Sequence, residues 1–371
     1  MRTCIPVENG NTLGAIQAFL QKLLTQAVVD VLLVPMRTPS GSVTPALVSD
    51  PRLLSQADPL APVLPVNAAT LAGQVSVRKP RPRVGAVLRS CEARALVELV
   101  KLQQASLDDL IIISVDCAGT YGVAEYQKLL AGNGKNPDHF WQDLFASAIQ
   151  NPGKQDETLR AACKMCEQPV YDGAQVVIEL LHSDLDKAVW VTLPDAMAEK
   201  LGLAPAQADV GRVGLDAYIK ARTERRDVEF ASIRARLEGS ETLAGVFSAC
   251  IRCHNCMTVC PICYCKTCVF KSPVFDHEPM QYVTWSKQKG ACRMPSDTVL
   301  FHLTRLNHMA LSCVGCGMCS EACPAELPVG TVFRAIGQRV QATFDYVPGK
   351  NLDEKPPLIT FKADEWTEVG E

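Results

Sequence analysis

The sequence holds no apolar stretch long enough to cross a membrane. The run from Val28 to Pro35 is interrupted by Asp30, and Ile111 to Val115 is far too short. Its opening, Met1-Arg-Thr-Cys-Ile-Pro, carries no secretory apolar core. The expectation is a chain in a reducing cytoplasm, or on the cytoplasmic side of a membrane-associated complex. An excess of charge is also missing. The 37 Lys and Arg against 40 Asp and Glu leave a net charge of −3, which excludes a general attraction to nucleic acid. The one basic run, Arg222, Arg225, Arg226, Arg234 and Arg236, is interleaved with Glu224, Asp227 and Glu229, and reads as the solvated face of a helix. Histidine is scarce: His139, His182, His254, His277, His302 and His308 are scattered. No Ser/His/Asp or paired-carboxylate pattern accompanies them, so hydrolytic chemistry is not expected.

What the chain has is cysteine, 17 in 371 residues. One pattern occurs twice. Cys250-Ile-Arg-Cys253-His-Asn-Cys256-Met-Thr-Val-Cys260-Pro261 and Cys313-Val-Gly-Cys316-Gly-Met-Cys319-Ser-Glu-Ala-Cys323-Pro324 both read C-x2-C-x2-C-x3-C-P. This is the bacterial ferredoxin run for 4Fe-4S clusters, in which the fourth cysteine of each copy serves the other cluster. The expected ligand sets are therefore Cys250, Cys253, Cys256 and Cys323 for one cluster, and Cys313, Cys316, Cys319 and Cys260 for the other. Zinc knots use separated C-x2-C pairs rather than one run ending in proline. His254, inside the first loop, is placed either to tune that cluster or simply to face solvent.

The rest of the chain alternates strand and helix patterns. A turn-rich stretch, Pro6 to Thr12, leads into a helix with Leu13, Ile16, Phe19, Leu20, Leu23 and Leu24 on one face. A buried strand is expected over Ala27–Val34, with short extended pieces at Ala46–Val48 and Val63–Val66. A strand from Val84 ends at Cys91 and continues as the helix Glu92–Leu102. The strand Leu110–Val115 ends at Cys117. Ligands of open α/β sheets collect at strand carboxyl ends, so these two thiols are expected to face one site. The Cys163-Lys-Met-Cys166 pair completes four ligands. Strands at Val176–Leu181 and Ala188–Thr192 follow, with helices at Phe140–Ile149, Asp195–Leu201, Leu215–Leu237, Thr298–Leu311 and Val332–Thr343. Between the two ferredoxin-type copies lies a long insert. Its Cys263, Cys265 and Cys268, with Cys292, form a further candidate site for a 4Fe-4S cluster or a structural zinc. Residues 346–371 read as an extended tail lying on a partner subunit, with Trp366 as an anchor.

The segments Val84–Leu102, Ile111–Tyr121 and Arg160–Ala174 resemble, in this order, the beta subunits of deazaflavin-coenzyme-linked hydrogenases and formate dehydrogenases. The resemblance implies that Cys91, Cys117, Cys163 and Cys166 hold one 4Fe-4S cluster. It implies an FAD in the N-terminal α/β part, exchanging a hydride with a deazaflavin or nicotinamide coenzyme. Asn9, Gly10, Asn11 and Thr12 fall where family members carry a glycine-rich FAD loop, with Asn11 in place of a usual second glycine. Asn67 falls in another flavin-side segment. The duplicated run resembles extended bacterial members that feed heterodisulfide-reductase-like or formate dehydrogenase complexes.

The expected architecture is an α/β flavin and iron-sulfur domain over 1–240, then a mostly helical domain over 241–345 with a two-4Fe-4S ferredoxin-like core. The tail is 346–371. The expected function is an iron-sulfur flavoprotein subunit of a multisubunit oxidoreductase, with hydrogenase, formate dehydrogenase or heterodisulfide-reductase-like partners. The alternative within the same chemistry is a flavin-free relay. A cluster that merely holds a nucleic-acid-binding fold together is disfavoured, because one cluster is enough for that role.

Overall fold

The computed structural model describes residues 1–79, 82–132, 140–154, 156–181, 185–206, 211–212, 214–238, 242–290, 296–357 and 359. Within them one sheet is built from β1 (Arg2–Pro6), β2 (Val31–Arg37), β3 (Val43–Val48), β4 (Val84–Arg89), β5 (Leu110–Val115), β6 (Val176–Glu179) and β7 (Ala188–Thr192). The order across it is β1-β7-β6-β5-β4-β2-β3. β2, β4, β5 and β6 are parallel, and their near-continuous apolar runs suit a sheet covered on both faces. β3, β7 and β1 close the edges in antiparallel pairing.

Helices cover the sheet and continue beyond it, among them α1 (Thr12–Thr25), α2 (Ala69–Ser76), α3 (Ser90–Lys101), α4 (Leu215–Glu238), α5 (Ser296–Met309) and α6 (Val329–Thr343). The core on one face of the sheet packs around α1 through Ile16, Phe19 and Leu20. The core on the other face begins with Leu33, Ala86, Leu88 and Ile112 and takes in Leu96 of α3. It runs on without a break to Phe230, Phe301 and Val332 in the helical region. An α/β N-terminal part followed by a helical C-terminal part is thus what the chain forms.

Three differences from expectation have local causes. The strand expected from Ala27 starts at Val31, because Ala27 takes φ +50° and the Val28 amide bonds back to Leu23, so residues 27–29 finish α1. β1 has no strand signal of its own: it is a short edge strand whose order comes from pairing with β7. The helix Pro279–Lys289 in the insert buries no residue, so it has no apolar stripe to read. The first part of the tail is docked on its own chain. The Tyr346 hydroxyl and the Gly349 amide donate to buried Glu98 of α3 at 2.6 and 2.8 Å, and Arg94 donates to the Pro348 carbonyl at 3.0 Å. Trp366 lies outside the described residues.

Candidate iron-sulfur sites

β4 and β5 end side by side, and each passes directly into a cysteine. Cys91 falls in the first turn of α3, where the helix dipole favours an anionic sulfur. Cys117 follows β5, and its amide donates to the Pro169 carbonyl at 2.9 Å, tying that strand end to the Cys163/Cys166 loop. Cys91, Cys117, Cys163 and Cys166 line one cavity, the sheet site, as the strand-end reasoning expects. Burial pushes the Cys117 thiol up to about 11 and raises those of Cys91 and Cys166.

Three arginines face this cavity. Arg222 reaches in from α4, donating to the carbonyls of Cys163 and Ala118 and lying over the Tyr218 ring at 4.3 Å. Arg160 donates to Thr120 Oγ1 at 3.2 Å and to the Cys316 carbonyl at 2.5 Å. Arg89 lies beside Glu92, whose carboxylate accepts from the Arg89 and Ala68 amides. The basic run is therefore only partly a solvated face. Arg225 does pair with Glu229 at the surface, but Arg226 turns inward to Glu167 at 3.6 Å and Arg222 is buried at the site. Its signal in the sequence is the stripe Tyr218, Arg222, Arg226, Phe230 and Ile233, spaced three and four apart along α4.

A second cavity, the middle site, is lined by Cys313, Cys316, Cys319 and, from the first copy, Cys260. Burial raises the Cys260 thiol to about 12 and lifts Cys319 well above its ordinary value. At the outer site, Cys250 and Cys256 lie in the electrostatic field of Cys253 and of Cys323 from the second copy. The structure thus brings together both crossed sets. His302 stands with Nε2 3.4 Å from Cys250 Sγ and stacks on Phe247. His254 is half-buried and stacks on Phe301 at 4.6 Å.

The two copies share one backbone. Arg252 and His254 have φ +58° and +60°, and the matching Gly315 and Gly317 have +78° and +71°. Short helices follow in both, at Asn255–Thr258 and Met318–Glu321. Glycine is needed in the second copy because it is packed against the α/β part. A Cβ on Gly317 would stand 2.2 Å from that of Ala162, and one on Gly315 2.5 Å from Arg334 Nε. The first copy opens to solvent, with Cys253 exposed and Ile251 67% exposed.

In the insert, Cys263 lies in the field of Cys265 and Cys268, and Cys268 Sγ is 3.8 Å from Met257 Sδ. Cys265 is exposed, and Cys292 lies outside the described residues. The all-thiol donor sets of the sheet and middle sites, standing around cavities with apolar and guanidinium walls, fit 4Fe-4S clusters. Among the described residues, no three His, Cys, Asp or Glu side chains close on a point as a single ion requires.

Asn9, Gly10, Asn11 and Thr12 share a cleft of about 400 Å³ with Gln17, Arg37 and Trp141. Several of its polar groups are engaged within the chain. Asn11 caps α1 by accepting from the Gly14 amide at 2.9 Å, and Thr12 Oγ1 donates to the Leu185 carbonyl. Gln17 donates to the Ser55 and Ala57 carbonyls, and Arg37 pairs with Asp58. Trp141 Nε1, on the same cleft, is buried and makes no hydrogen bond among the described residues, so one donor there is free for a ligand. Asn67 does not line this cleft. It is buried beside the middle site, with its amide near the Cys316 thiol.

The fold and thiols define a class of chain: an α/β sheet with a cysteine group at its strand ends, continuous with a helical part carrying a duplicated cysteine run. Two known proteins are similar to it over nearly its whole length. The F420-dependent formate dehydrogenase subunit beta of Methanocaldococcus jannaschii is 21% identical over 390 residues, 94% of each chain. The F420-dependent formate dehydrogenase 1 subunit beta of Methanococcus maripaludis is 24% identical over 396 residues, covering 95% of this chain and 94% of that one. The resemblance carried by the cysteine segments is to this same family. A solved structure of the F420-reducing NiFe hydrogenase complex from Methanosarcina barkeri aligns over 62% of this chain and 92% of its own, with 11% identity and a TM-score of 0.42. No family model matches the chain. Among the described residues, no helix is long and apolar enough to cross a membrane.

Proposed function

We propose that this chain is an iron-sulfur electron-transfer subunit of a multisubunit oxidoreductase, with three 4Fe-4S sites in a row. The observation that carries the reading is Cys316, which lines both the sheet cavity and the middle cavity, so those two sites share a wall. Cys260 and Cys256, four residues apart, link the middle site to the outer one. A 4Fe-4S cluster, when bound, takes up and gives back one electron at a time. The protein's part is to hold the thiolates, exclude water and set the local charge. Arg160, Arg222 and Arg334 place cations beside buried sulfur, and Arg334 also donates to the Met165 carbonyl at 3.1 Å, locking α6 onto the Cys163/Cys166 loop. The relatives are named as subunits of formate dehydrogenases, which supports a place in such a complex.

The finer reading adds an FAD that exchanges a hydride with a coenzyme of the deazaflavin kind. The relatives' naming as F420-dependent favours it. Asn11, which stands in place of a usual second glycine and spends its side-chain oxygen on capping α1, favours the flavin-free relay. The test is iron, acid-labile sulfide, zinc and flavin per chain on anaerobically purified protein. About twelve irons with matching sulfide are expected from three 4Fe-4S sites, and about sixteen if the insert holds a fourth. Zinc without labile sulfide overturns the proposal, and one FAD per chain decides for the finer reading.

A further inference from the structure

Arg305 is a buried cation that meets no carboxylate among the described residues. It projects from α5 and is 3% exposed. Nη1 donates to Cys256 Sγ at 3.1 Å, and Nη2 to the Cys256 carbonyl at 3.0 Å. The same guanidinium lines the middle cavity and lies in the field of Cys256, Cys260, Cys319 and Cys263. The rings of Phe301 and Phe333 lie 5.6 and 5.1 Å from it, and its Nε is buried without a partner. Arg160 and Arg334, by contrast, are neutralised by Glu321 at 3.6 Å and by Glu167 at 2.6 Å. A buried guanidinium needs an anion. The sulfurs are the groups here that can supply one, and metal binding is what deprotonates them.

We propose that Arg305 is the shared counter-charge of the outer and middle iron-sulfur sites, raising the reduction potential of both. The inference rests on the iron-sulfur reading above. Each site gains one negative charge on reduction, and a fixed cation between two such sites favours the reduced form of each. One electron enters each site and no bond is made or broken. No proton is required, because a guanidinium stays charged. Arg305 is a positioning residue: it acts through the sulfur ligands.

The test is a dithionite titration of the full chain followed by electron paramagnetic resonance, on variants first checked for iron and labile sulfide. In Arg305→Gln and Arg305→Met, both potentials are expected to fall, while the sheet-site signal stays put. Arg305→Lys should recover part of the fall. A shift confined to one site, or none, in a protein with full iron refutes the proposal. If a variant loses iron while keeping its circular dichroism, loss from both sites supports a shared charge, and loss from the outer site alone refutes it. Zinc in place of iron in the unmodified chain defeats the underlying reading instead.

Discussion

The crossed ligand sets make a prediction that sequence proximity alone would get wrong. Cys260 belongs to the first copy, yet it lines the middle cavity with three cysteines of the second. Replacing it by Ala removes one sulfur from a half-buried side chain. The apolar burial lost is about 1 kcal/mol, small against the roughly 5–15 kcal/mol that holds a domain together. The fold should therefore survive, and any loss of iron reports on ligation. The expected result is that Cys260→Ala loses the same paramagnetic signal as Cys316→Ala, with up to four of about twelve irons gone. Cys253→Ala should lose a different signal. The assay is iron content and low-temperature electron paramagnetic resonance of the three variants after dithionite reduction. If Cys260→Ala matched Cys253→Ala instead, each copy would serve its own cluster and the crossed assignment would be refuted.

Other perturbations have equally definite outcomes. Gly317→Ala must hold φ +71° and push a Cβ against Ala162. We expect a loss of about 2–4 kcal/mol from the left-handed backbone and overpacking, seen as a lower melting temperature, whereas His254→Ala at the matching position should change it little. Glu98→Ala leaves Lys101 and the Tyr346 hydroxyl without their buried acceptor. A cost of about 3 kcal/mol is expected, and limited proteolysis should cut between residues 346 and 357; resistance equal to the parent's would show that other contacts hold this strap. Asn11→Gly frees the Gly14 amide at a capping cost of a few tenths of a kcal/mol. Flavin titration should show tighter FAD binding in that variant if the Asn9–Thr12 cleft is a flavin site, and no binding to either protein counts against the finer reading.

The thiol groups are legible in the sequence because their spacing is set by the geometry of what they bind. Strand-end logic alone is enough to bring Cys91 and Cys117 together. The arginines are not legible, since whether a guanidinium is solvated or buried depends on what packs across from it. Arg225 and Arg222 lie three residues apart on one helix and meet opposite fates. Asn67 reads as flavin-side in the sequence because a segment resemblance carries no direction. Only the approach of the second cysteine run puts it beside Cys316.

That approach also explains why one motif serves two surroundings. The second copy is pressed against the sheet through Gly317 and Ala162, with Arg160 holding the Cys316 carbonyl, so its cysteines are walled in by protein. The first copy has the same backbone but carries Arg252 and His254 where the second has glycine; these side chains pack outward onto the insert and α5, with Arg252 on Asp297 and Tyr282 and His254 on Phe301. It keeps Cys253 and Ile251 at the surface. Since the fourth cysteine of each run lies with the other copy's cysteines, neither copy can be moved without disturbing both sites. The inner copy fixes the outer one at a set separation from the sheet. In the proposed relay this makes the sheet site the end nearest the α/β domain and the outer site the end that a partner subunit can reach.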